Sequence, residues 1–374
     1  MFDRGWDELD LASLRRFFAD AGDEGLTWET KGSEFPRPDS IRKAVAGFAN
    51  QAGGFLIIGA SRDKPTGQWR VDGVPFDRSG GGVKSEPGTW IGSLIAPTGV
   101  TPTPTFDAKE FWLDDDGLVL VVRVEPIAIP PCLTSSGIVY QRVVGATPPV
   151  TDQVVLADLL RRGQTARIRV EDSALRAARR LLDDLSAYSA QHTPFSVAMC
   201  AAGATQSGQG SLFLEARATA FASVVADQLQ PDHMLRYGTH VAIQQDGIRI
   251  RTASSEIGAA VTAFAFWDGA VAASLSVEDD DFTVPELTNN VTRYWRALTD
   301  VLSIFNWSGD AHLVVAFNEE KVRAANPKGP VPVTDVRRWT ASGAPSDDEV
   351  ASVVREIERG FGRPSWEPAH VHTP

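Results

Sequence analysis

Acidic side chains supply most of the chemistry-capable patterns in this sequence. Glu24 and Glu29 stand five residues apart, and Lys31 follows two residues beyond the second glutamate. Such a pair is either a solvated surface feature or part of a carboxylate site, and spacing alone leaves both readings open. Asp114-Asp115-Asp116 and Glu278-Asp279-Asp280-Asp281 are denser, but neither has EF-hand spacing, and solvated loop tips account for them more simply. His192, His233, His240, His312, His370 and His372 form no His-x3-His or His-Glu-x2-His pattern, so zinc chemistry has no support. Gly80-Gly81-Gly82 lacks the Lys-Ser/Thr of a phosphate-binding loop, and there is no serine nucleophile elbow. Classical ATP hydrolysis is therefore not supported.

The elements that must position Glu24 and Glu29 are short and well marked. Leu11, Leu14 and Phe18 predict a helix over 7–20, and Thr27–Lys31 alternates like a strand. Ser40 is a candidate N-cap for a helix carrying Ile41, Ala44, Val45 and Phe48. Gly53-Gly54 ends that helix, and Phe55–Ile58 is an apolar run of buried-strand type. Residues 64–104 read mostly as loop, interrupted by a short helix at 90–95. Residues 111–113 and 118–124 flank an Asp-Gly turn, so they predict a hairpin. A strand at 138–144 and a helix at 153–162 complete a first unit. Beyond it the pattern predicts helices at 172–189, 286–304 and 347–360, the last opened by a Ser346–Glu349 capping box. Strands are predicted at 211–218, 240–252, 260–266 and 270–277. The fold class expected is α/β (α+β), with domains at 1–163 and 164–361 and a loose tail at 362–374.

The first unit carries a recognisable text. Glu24-Gly-Leu-Thr-Trp-Glu29-Thr-Lys31 precedes Phe48-Ala49-Asn50-Gln-Ala-Gly53-Gly54-Phe-Leu-Ile-Ile58-Gly59, and Tyr140-Gln-Arg142-Val-Val-Gly145-Ala-Thr147 follows later. This resembles the Schlafen AlbA-like family, also called a divergent AAA or DNA-binding domain, over about residues 20–163. The resemblance implies a mixed-sheet domain. Several Schlafen proteins are metal-dependent endoribonucleases that cut tRNA or rRNA through three carboxylates. Carried over, Glu24 and Glu29 match the first two. The third belongs two or three residues past Gly59, where this chain has Ser61 and Arg62, so Asp63 matches only with a one-residue slip. The family's usual Glu-Phe-Lys also reads Glu29-Thr30-Lys31 here.

What the resemblance implies has an electrostatic rationale. Three carboxylates within about 4 Å repel by roughly 4 kcal/mol per pair at an effective dielectric near 20. Protons, bases or a divalent metal must neutralise them. Oxygen ligands from Glu24, Glu29 and Asp63 would suit Mg²⁺ or Mn²⁺, which activates water and holds a phosphate. Lys31 would contact the scissile phosphate, and Arg142 would hold the backbone nearby. Three bland readings stand beside these roles. Asn50 reads as a helix C-cap, Arg142 as an outward sheet residue, and Asp63 as an ordinary loop aspartate.

Composition limits the partners. The chain has 374 residues and a net charge of −12, which is unusual for a nucleic-acid binder. The imbalance is uneven: 17 acidic and 14 basic residues lie in 21–163, against 26 and 19 in 164–374. A local basic face is thus compatible with the first unit. No apolar stretch is long enough to span a membrane, and two cysteines are too few for a disulfide framework. A cytoplasmic location is expected, with an acidic start in place of a secretory signal.

Two functions follow as expectations. The first is a metal-dependent endoribonuclease module acting on tRNA-like or other structured RNA. It would be coupled to a regulatory or assembly domain, as in a bacterial defence or toxin effector. The alternative is a non-catalytic nucleic-acid-binding or regulatory protein in which Lys31, Arg62 and Arg142 contact phosphate. The second domain would serve a homo-oligomer or a partner protein.

Overall fold

The computed structural model describes residues 5–32, 34, 36–63, 65–76, 86–96, 98–113, 117–186, 195–205, 215–229, 239–244, 247–253, 260–276, 284–305, 307, 310–318, 335–340 and 345–360. The predicted tail at 362–374 and both acidic loop tips, 114–116 and 278–281, lie outside these residues. The chain divides into two compact units, Met1–Thr165 and Ala166–Pro374. The fold is α/β throughout. Among the described residues, no helix is long and apolar enough to cross a membrane.

The first unit is built on one mixed sheet. Helix α1 (Leu11–Asp20) opens with a capping box, in which Asp10 accepts from the Ser13 amide and Ser13 accepts from the Asp10 amide. Strand β1 (Trp28–Lys31) is followed by α2 (Pro38–Ala49) and by β2 (Gly54–Ile58), which lies parallel to β1. Helix α2 starts at Pro38, two residues before Ser40, because proline is preorganised for the first helical position and its missing N–H is no loss there. The chain leaves β2 through a hairpin of β3 (Ala60–Arg62) and β4 (Trp69–Val71) and returns as β5 (Val74–Pro75). After α3 (Pro87–Ile95) and β6 (Val100–Thr101), the chain forms β7 (Phe106–Trp112) and β8 (Gly117–Val124).

Strand β8 is the centre of the sheet. It pairs antiparallel with β7 along one edge and with both β2 and β5 along the other. Alternation sorts its side chains cleanly. Leu118, Leu120, Val122 and Val124 join Ile41, Val45 and Phe48 of α2, whereas Val119 and Val121 join Leu14 and Phe18 of α1. Each fully buried Leu or Phe contributes about 1.5–3 kcal/mol, so helices on both faces hold the sheet in place.

Two expectations for this unit change. The stretch from 64 to 104 contains strands β4 and β5, whose three and two residues are too short for periodicity to reveal. Residues 138–144 form no strand, only bridges from Val139, Tyr140 and Val143 around β9 (Leu133–Thr134) and the loop that follows.

Helix α4 runs unbroken from Gln153 to Ser186, where two helices and a break were predicted. Gly163, the first residue past the predicted helix at 153–162, lies inside α4 and admits a close approach: a Cβ there would stand 1.8 Å from the Pro130 carbonyl oxygen.

The second unit is a seven-stranded antiparallel sheet among its described residues. Its strands are β10 (Phe195–Ala201), β11 (Thr239–Gln244), β12 (Gly247–Ala253), β13 (Ala260–Phe266), β14 (Ala270–Ser276), β15 (Ala311–Phe317) and β16 (Asp335–Thr340), in the order β11-β12-β13-β14-β10-β15-β16. The predicted strand at 240–252 is two strands of a hairpin. Helices α5 (Glu215–Val224), α6 (Val284–Ile304) and α7 (Asp347–Gly360) contribute to the core on one face, and α4 from Val170 to Leu182 covers the other. The Ser346–Glu349 capping box forms as predicted.

Residues 215–218, predicted as strand, are helical, and 211–214 lie outside the described residues. Alanines at 216, 218, 220 and 222 imitate strand alternation, but alanine is the strongest helix former. Strands β10 and β15 escaped prediction: both are buried throughout, yet the polar Ser196 and His312 interrupt the apolar run that marks a buried strand.

Candidate functional site

Glu29 lies on β1 opposite Leu56 of β2, so its side chain faces the layer of α2. Gly47 of α2 leaves room there for the segment that carries Arg142 and Thr147. A Cβ on Gly47 would meet Thr147 Cγ2 at 2.3 Å, and the Arg142 amide donates to the Gly47 carbonyl at 3.2 Å. The Arg142 guanidinium, 1% exposed, lies over the Phe48 ring.

All donor nitrogens of that guanidinium have partners. Nε donates to Gly25 O at 3.0 Å, and Nη1 donates to Glu29 Oε2 at 2.6 Å and Thr147 Oγ1 at 3.1 Å. Nη2 donates to Trp28 O at 2.8 Å and Glu24 Oε2 at 3.4 Å. The Thr147 hydroxyl donates to Glu29 Oε2 at 2.8 Å. The Lys31 ammonium donates to Glu29 Oε1. Glu24 Oε1 accepts from the amide and the hydroxyl of Thr30, at 2.7 and 2.6 Å.

The chain therefore brings Glu24, Glu29, Lys31 and Arg142 into one knot and holds two carboxylates against two cations. Each of the four carboxylate oxygens already accepts at least one hydrogen bond, and the local charge is balanced. A Mg²⁺ or Mn²⁺ ion requires several free oxygen ligands. This donor set does not fit one as it stands. Among the described residues, no three of His, Cys, Asp and Glu are grouped so as to hold a metal ion.

Asp63 does not join the knot. Gly59, at φ +91°, turns the chain out of the sheet, and β3 ends at Arg62, which makes Asp63 the first residue of the hairpin turn. There its amide donates to Gln68 O at 2.8 Å and its carboxylate accepts from the Thr66 hydroxyl at 2.6 Å. The one-residue slip visible in the sequence is the difference between strand and turn.

Of the basic residues expected at phosphate, Arg142 faces inward and Arg62 lies at the surface. Arg142 is buried and saturated, so it organises the glutamates and presents nothing outward. Arg62 pairs with Asp23, donates to Gly67 O at 2.8 Å and lies over the Trp69 ring.

Thr30, Thr147 and Gly47 complete the site and went unassigned in the sequence, where a buried hydroxyl has no distinguishing neighbour pattern. Asn50, expected as a C-cap, does occupy the end of α2, but its buried amide does more. Its Nδ2 donates to Cys132 O and Tyr140 O, both at 2.8 Å, and its Oδ1 accepts from Cys132 N at 2.6 Å.

Comparison with known proteins agrees with the resemblance. Residues 24–151 match the family model described as Schlafen, AlbA_2. No curated protein matches the chain. Among solved structures, the chain is similar to the DIP2311 protein from Corynebacterium diphtheriae, at 21% identity and a TM-score of 0.26. The match covers 37% of this chain and 30% of that one.

Proposed function

We propose, from the premise that residues 24–151 form a Schlafen AlbA_2-type domain, that this domain binds nucleic acid and that its paired glutamates maintain structure. The observation that carries this reading is that all four carboxylate oxygens of Glu24 and Glu29 are engaged by Arg142, Lys31, Thr30 and Thr147. Each carboxylate already accepts three of its roughly four possible hydrogen bonds and its charge is met by a cation, so a metal ion would have to displace Arg142 or Lys31 to be held by both. The family match supports a nucleic-acid-related role.

The competing reading is metal-dependent RNA cleavage. It is favoured by one feature, the convergence of Glu24 and Glu29 at the family spacing on a single guanidinium. One assay separates the two. Labelled RNA and DNA are titrated with the full chain across a salt series, and the same mixtures are incubated with Mg²⁺ or Mn²⁺ and resolved by length. Salt-sensitive binding without product is expected. Product that disappears with EDTA and with Glu24→Gln would overturn the binding-only reading. Glu24 is the right position for that control, because its side chain is 21% exposed and its loss disturbs the fold least.

A further inference from the structure

A recess of about 610 Å³ opens on the face of the first unit where α1 meets the β3–β4 hairpin. Its volume lies within the range of about 300–1,000 Å³ typical of small-ligand sites. Arg15 of α1 and Arg70 of β4 both line it. Both are exposed, and neither has an ion pair or a hydrogen bond through its side chain among the described residues.

The other walls are chemically distinct. Trp69, half-buried, forms an apolar side, and the buried Phe18 backs it with ring centroids 5.4 Å apart. The indole is held in place by its Nε1–H, which donates to Gly22 O at 2.9 Å. Gln68 and Asp72 add an amide and a carboxylate to the lining. Arg15, Arg70 and Asp72 together leave a local charge of +1.

We propose that this recess takes one unpaired nucleotide of a single-stranded nucleic acid, its phosphate met by Arg15 and Arg70 and its base lying against Trp69. The inference rests on nucleic-acid binding by the same domain. Arginine forks match phosphate oxygens in pairs, and an aromatic wall accepts any base, so the combination suits a strand with its bases exposed. A duplex keeps its bases stacked inside and cannot place one in a recess of this size. The site lies apart from the Glu24–Glu29–Arg142 knot in composition, sharing none of its residues.

The test uses the full chain and fluorescence anisotropy with a labelled single-stranded oligonucleotide. The double variant Arg15→Gln/Arg70→Gln is compared with Arg161→Gln/Arg359→Gln, which removes the same charge from exposed positions elsewhere. The recess variant is expected to bind about tenfold more weakly, with a log–log salt slope shallower by about 1.4, two phosphate contacts at roughly 0.7 each. The control variant is expected to stay within about twofold of the parent protein. Equal binding by the two variants overturns the site while leaving nucleic-acid binding intact. A parent protein that binds no strand removes the nucleic-acid reading and this site with it. A free mononucleotide that displaces the strand at equal nucleotide concentration overturns the strand assignment, because the recess is then a small-nucleotide site.

Discussion

At the scale of the residue, Arg142 is the group on which the candidate site depends. Removing one member of a buried ion pair leaves its partner's charge uncompensated, which costs about 3–5 kcal/mol. Arg142→Met keeps the bulk, leaves Glu29 with Lys31 as its one cation and removes the donors to the Gly25 and Trp28 carbonyls, so it is expected to lower the first unit's stability by about 3 kcal/mol, the low end of that range, in a urea titration. Glu24→Gln is expected to cost under about 1 kcal/mol, since its contact with Arg142 is longer and partly open to water. Equal effects of the two substitutions would show that the knot is not the anchor described here. Much of this knot was legible in advance. The family resemblance places Glu24, Glu29, Lys31 and Arg142 at one site, whereas the five-residue spacing alone leaves the glutamates open as a surface pair. What the sequence could not convey is that the two cations neutralise the two anions, because that depends on Gly47 admitting the Thr147 side chain so closely.

At the scale of the element, the β3–β4 hairpin explains why the third carboxylate is missing from the knot. Strands β2 and β5 lie end to end along the same edge of β8, and the hairpin is an excursion between them. Its two ends are clasped where the Gly73 amide donates to Gly59 O at 2.9 Å. Both glycines have positive φ, and a Cβ on Gly59 would stand 2.6 Å from Leu118 O of β8. Gly59→Ala therefore combines an unfavourable dihedral, about 1–3 kcal/mol, with a backbone collision. Gly67→Ala, at the open hairpin turn with only the Arg62 side chain near, bears the dihedral cost alone. Denaturant midpoints should rank Gly59→Ala as the more damaging. The reverse order would mean that the hairpin is not pinned to the sheet at that point. A three-residue strand carries too little pattern for sequence reading, which is why this stretch was expected to be loop. The continuous helix α4 was missed for a related reason. A glycine inside a helix looks like a stop until the Pro130 carbonyl it accommodates is known.

At the scale of the whole molecule, each compact unit carries one buried cysteine, Cys132 in the first and Cys200 in the second. Burial strips water from both thiols and disfavours the thiolate. The Cys132 thiol is pushed up to about 12, and the Cys200 thiol is raised as well, by burial first and by the Asp268 carboxylate second. Only the thiolate reacts, so burial leaves little reactive form at either cysteine near pH 8. Native protein is accordingly expected to resist alkylation at both positions, and each cysteine becomes a reporter of its own unit's opening. Pulse alkylation through a urea series, read site by site by mass spectrometry, then tests whether the two units lose structure separately. Arg142→Met is expected to expose Cys132 at lower urea and to leave the Cys200 transition where it was, since the ion-pair knot lies within the first unit. Coincident shifts at both cysteines would instead show that the division at Thr165 is one of contacts alone, with the chain unfolding as a single cooperative body.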